Sequence, residues 1–296
     1  MKFLTNRFPA FTAAAIAFLF LLCTGSLSAS AYSALMQQPA PSPQQQPASK
    51  PAPGQTAQPP AAPVELPKAD PAEEAAYKAF YDLKPDDADK QIQLGEEFLK
   101  KYPASHYRQV VYSRLTQSYF GKQDMPKMFA SGEKALQLNP DDVSVLALLG
   151  WVLPHNINPS DKDSEEKITK SEQYTRHAIE LLDTMPKPEG LTDDAFSKAK
   201  AEALSRSHSG LGLDYFREGN FSKSVEELQQ STQLVPNPDP VDLFIIGIDL
   251  QQLKRYSDAV TAFSKCAEMP GQLQERCKQL GDQSKRMAAT ETPKKP

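Results

Sequence analysis

The chain is predicted to be all-α, a solenoid of antiparallel helix pairs closed by a C-terminal capping helix, and three observations predict it. Amphipathic stretches of helical length recur with a period of about 34 residues. Proline follows the second stretch of a pair, at Pro140 and Pro236, where it stops one helix and turns the chain into the next. Small residues, among them Gly150, Gly212, Ala135 and Ala259, recur where paired helices must approach closely. Of 296 residues, 40% are apolar and 24% charged, enough to bury a substantial core and unlike collagen-like, mucin-like or wholly disordered chains.

Residues 1–31 read as an export signal. Lys2 and Arg7 precede an apolar run over 11–23, and Ala29-Ser30-Ala31 offers small residues for cleavage after Ala31. The run is shorter than the roughly 20 residues a spanning helix requires. A cleaved signal makes the protein periplasmic or extracellular, with no membrane insertion afterwards; an uncleaved one anchors it in the membrane. Residues 32–71 read as a disordered linker, because proline crowds among Gln, Ala and Ser and no apolar period survives. Residues 290–296 read as a disordered polar tail.

The repeat domain is expected over 72–289. Residues 72–83 and 88–103 make a degenerate first pair, and 109–140 the second. The third pairs 142–154 with 166–183 through a longer loop. The fourth has a first helix extended at its start, within 191–218, and a second helix that ends before Pro236. The fifth spans 240–270, and 272–289 caps the array with few apolar residues (Leu273, Cys277, Leu280) among polar ones. In the fourth pair Leu211-Gly212, Tyr215, Gly219, Phe221 and Pro236 fall at spacings that resemble the tetratricopeptide repeat. Tyr112, Leu115, Tyr119, Ala135, Leu138 and Pro140 repeat the pattern, as do Leu149-Gly150 with Leu153, and Gly247, Leu250, Tyr256, Ala259, Phe263 and Cys266.

The resemblance implies a right-handed superhelical solenoid of about five pairs, and a protein or peptide partner held on a concave surface. Carried over position by position, that surface includes Phe120, Trp151, Leu213, Phe216, Phe244 and Ile248. So apolar a lining suits an amphipathic helix or an extended peptide with hydrophobic anchors. Trp151 has two readings, groove anchor or internal packing, whereas Leu211, Gly212 and Tyr215 belong to the interior. The Lys and Asn residues with which related arrays clamp a C-terminal carboxylate are missing.

Little else suggests chemistry. His106, His155, His177 and His208 sit apart, with no i, i+4 zinc pair. Asp161, Asp163 and Glu165 alternate like a calcium loop but lack its glycine, and read better as a solvated lead into a helix starting near Ser164. No metal, cofactor or small-molecule substrate is expected, and a net charge of −4 argues against nucleic acid. Of three cysteines, Cys23 departs with the signal. In an oxidising compartment the remaining two, Cys266 and Cys277, favour a disulfide across the last turn; otherwise both are small buried residues. The expected function is a non-enzymatic protein–protein interaction scaffold of the cell envelope. The alternatives are a subunit of a secretion, pilus or outer-membrane assembly machine, and a hydrolase with an unrecognised site.

Overall fold

A computed structural model describes residues 70–84, 86–158 and 160–290. The signal with Ala31, the proline-rich linker up to residue 69 and the tail from 291 lie outside the described residues. The described residues form eleven helices and no strand: α1 (Pro71–Tyr81), α2 (Ala88–Lys101), α3 (Arg108–Gly121), α4 (Met125–Leu138), α5 (Val143–His155), α6 (Ser164–Thr184), α7 (Asp193–Arg217), α8 (Phe221–Leu234), α9 (Pro240–Gln252), α10 (Tyr256–Glu268) and α11 (Gln274–Thr290). The fold is all-α, as predicted, and α7 carries the expected extension, at 25 residues.

Helix ends follow local chemistry. The first helix starts at Pro71, one residue ahead of the sequence boundary. Proline suits the first helical position, and Asp70 caps it by accepting from the Ala72 N–H at 3.0 Å. Asp239 and Pro240 repeat the device at α9, with a 2.8 Å bond from the Val241 N–H. The first helices of three pairs close alike: the N–H groups of Asp124, Asn220 and Arg255 donate to the carbonyl oxygens of Tyr119, Tyr215 and Leu250 at 2.8–2.9 Å. The residue just before each donor is left-handed, with φ 59° at Gln123, 75° at Gly219 and 59° at Lys254. Ahead of α6, the carboxylates of Asp161 and Asp163 are paired with Lys167 at 3.6 and 3.0 Å.

The described residues divide into two compact units, 70–145 with Lys187–Phe196, and Leu146–Pro186 with 197–290. In the first, α1 to α4 pair around Phe80, Phe98, Val111, Leu115 and Met128. The Tyr77 and Tyr107 rings stack at 3.8 Å, and Arg114 donates to the Tyr81 carbonyl at 2.6 Å. The Tyr107 hydroxyl donates to Glu74, and the Ser118 hydroxyl to Gln91 at 2.7 Å. The degenerate first pair is therefore held by aromatic and polar contacts in place of the repeat's apolar signature.

In the second unit Leu228, Leu243, Ile246, Leu250, Phe263 and Leu280 share one core. Glycine is needed where first and second helices cross. A Cβ on Gly150 would lie 2.6 Å from Thr175, on Gly212 2.6 Å from Leu228, and on Gly247 2.5 Å from Phe263. Thr175, Leu228 and Phe263 thus hold equivalent places in α6, α8 and α10. The closing helix buries Cys277, Leu280, Gly281 and Ser284. Cys266 and Cys277 form a disulfide with Cα atoms 5.9 Å apart, joining α10 to α11. Polar bonds mark the repeat too: Ser209 donates to Asp242 and Gln251 to Ser284, each across 33 residues. Tyr107 to Glu74, Arg114 to Tyr81 and Gln109 to Asp142 span the same 33 residues in the first unit.

Candidate functional site

The candidate partner-facing residues lie on first helices. Phe120, on α3 of the first unit, is half-buried. The others belong to the second unit. Trp151 on α5 is half-buried, with the Arg206 guanidinium 5.8 Å from its ring centre and the His155 ring edge-on at 5.2 Å. Phe216, Phe244 and Ile248 pack against the core cluster while remaining partly exposed. Phe216 lies 6.5 Å from Phe221, and Phe244 meets Phe263 edge-on at 6.2 Å. Leu213 departs from its expected place: at 5% exposure it belongs to the core cluster itself. Its neighbours Leu211, Gly212, Asp214 and Tyr215 are buried as well, so this stretch of α7 is enclosed all round.

Charges of both signs act on this face. His155 is held toward its neutral form by burial and by the charge of Arg217, against the pull of Asp239 and a 2.7 Å contact with the Trp151 carbonyl. Burial also lowers the Arg217 pKa, with Asp214 opposing.

Sequence reasoning missed the buried acids behind the face. Asp214 and Asp249 stand two residues after Gly212 and Gly247 in successive first helices. Neither carboxyl has a hydrogen-bond partner among the described residues. Ser171 lies beside Asp214, but its hydroxyl is bonded to the Gly150 carbonyl at 2.8 Å. Ser224 holds the corresponding place beside Asp249. Burial pushes Asp214 up to about 8 and Asp249 to about 7. Asp242 is fully buried and also pushed up to about 8, by burial and then by Asp239, although Ser209 and Ser231 donate to its two oxygens at 2.7 and 2.6 Å. An acidic residue inside an otherwise apolar first helix, as in Leu-Gly-Leu-Asp-Tyr-Phe, is the signal that points to them.

Among the described residues no three His, Cys, Asp or Glu side chains converge as a metal site, and no helix is long and apolar enough to cross a membrane. The arrangement offers flat aromatic and aliphatic contacts with two guanidinium groups, which suits recognition of a polypeptide.

Several solved structures are similar. A thermophilic TPR protein of Thermus thermophilus is 14% identical, over 73% of this chain and 99% of that one, with a TM-score of 0.42. PilW, a widely conserved type IV pilus biogenesis factor, is 14% identical over 75% and 89%, at 0.49. PilF of Pseudomonas aeruginosa is 16% identical over 74% and 90%, at 0.47. No family profile matches the chain, and no curated protein does.

Proposed function

We infer that this chain, an array of tetratricopeptide-type helix pairs, is a non-enzymatic scaffold that holds a peptide or helix of a partner protein on its first-helix face. The observation that carries the reading is the run of partly exposed Trp151, Phe216, Phe244 and Ile248 on α5, α7 and α9. Aromatic side chains seated on a rigid core present apolar area with little conformational entropy left to lose, the property of binding hot spots. The signal-like residues 1–31 support work in the cell envelope. A photo-crosslinking residue at 216 or 244, compared with one at the exposed outer position 226, tests the reading in cells. The same protein is expected from 216 and 244 and not from 226. Equal capture from all three positions, or from none, overturns it. N-terminal sequencing of the exported protein, expected to begin at Tyr32, tests the location.

A further inference from the structure

We propose that the first-helix face of the second unit selects partner segments carrying acidic side chains beside their apolar anchors, with Arg206 and Arg217 supplying the complementary charge. This rests on the partner-binding reading above and adds the chemistry of the partner.

Arg206 and Arg217 are eleven residues apart on α7. Three helical turns put them on one side, about 16 Å apart along the axis, with Phe216 next to Arg217 in the chain. The Arg206 guanidinium lies 5.8 Å from the centre of the Trp151 ring, a cation–π contact that orients its planar fork of donors. Arg217 is half-buried, yet among the described residues it makes no hydrogen bond or ion pair. Asp214, the acid whose charge acts on it, is pushed to about 8 and carries little charge at neutral pH. A guanidinium partly stripped of water and left without a bonded anion is costly, and an arriving carboxylate relieves that cost through paired charge-assisted bonds.

Asp214, Asp242 and Asp249 are buried behind the face; of the remaining acids nearby, Glu202 stands one turn before Arg206 and Asp239 caps α9. A chain of net charge −4 thus places a half-buried, unbonded guanidinium beside aromatic side chains where its partner is expected, and the complement of that spot is acidic and apolar. Acidic groups about five residues apart in an extended segment, or three turns apart on a helix, match the spacing.

The test selects from a random dodecapeptide library on the full, disulfide-intact chain, followed by titration of the most enriched peptide. Trp151, the only tryptophan in the sequence, reports binding by its fluorescence. The selected pool is expected to be enriched in Asp and Glu next to Leu, Ile or Phe. Replacing the peptide's acids by amides is expected to weaken binding at least tenfold. Arg217→Gln should do the same, Arg217→Lys should recover part of the loss, and Arg206→Gln provides a second variant should Arg217→Gln disturb the helix signal. An apolar pool without acid enrichment, or an acidic peptide bound equally by Arg217→Gln and Arg206→Gln, overturns the charge selection and leaves the scaffold reading standing. A pool no different from the input overturns both.

Discussion

Asp249 is wholly buried and both its oxygens lack a donor among the described residues, so its proton is retained in the folded state at pH values where the unfolded chain has released it. The folded pKa is about 7, against about 4 for an exposed aspartate. Between these values the folded state binds more protons, so stability falls as pH rises from about 4 through 7; Asp214 and Asp242, at about 8, extend the decline. Urea unfolding is expected to show stability dropping between pH 5 and 8, with Asp249 contributing on the order of 1–4 kcal/mol. Asp249→Asn removes that contribution, and a variant with an unchanged slope contradicts the assignment. The left-handed residues make a second case. Lys254 holds a φ of 59° at the place Gly219 occupies one pair earlier. Lys254→Gly is expected to raise stability by about 0.5–1 kcal/mol and Gly219→Ala to lower it by about 1, both read from thermal melts.

Adjacent residues of α7 separate packing from binding. Tyr215 is 6% exposed and accepts a hydrogen bond from Arg176, whereas Phe216 lies at the edge of the core. Tyr215→Ala is expected to cost about 3–5 kcal/mol of stability. Phe216→Ala should cost much less and weaken partner binding by about 1–3 kcal/mol; a reversed order of stabilities would sink this placement of the face. At the other end, the Cys266–Cys277 disulfide closes a loop of 11 residues. Cys277→Ser is expected to cost about 2–3 kcal/mol, seen as faster hydrogen exchange confined to α11 and its contacts with α10. These helices were legible because their boundaries are written in short-range signals: Pro140 and Pro236, the glycines at the crossings, and the polar outer face of α11. Leu213 was misplaced because one-face periodicity fails where a helix is covered on every side. The left-handed bends at Gln123 and Lys254 carry no glycine to announce them. The acids stayed hidden for another reason, since whether Asp242 is stranded or satisfied depends on Ser209, 33 residues away, and on Ser231 in a different helix.

At the scale of the molecule, like pairs stacked in a row invite mis-stacking, because each apolar face fits several others. The polar contacts are less forgiving. Asp249 has no bonded donor to match, only Ser224 beside it, and Ser171 stands at the same place one pair earlier. Asp242 needs two hydroxyls, at the places of Ser209 and Ser231. The matching places in the preceding pair are Ala147 and Ala178, both fully buried. Deleting residues 185–234 removes α7 and α8 whole and seats α9 on that pair, where Asp242 finds no donor. Adding Ala147→Ser with Ala178→Ser is expected to raise the stability of the shortened chain by about 1–3 kcal/mol and to lower that of the full-length chain, a change of sign measurable by urea unfolding. The pairs are therefore not interchangeable tiles. Asp242 acts as an address, legible to only one neighbour, and it fixes the order in which the last two repeats can assemble.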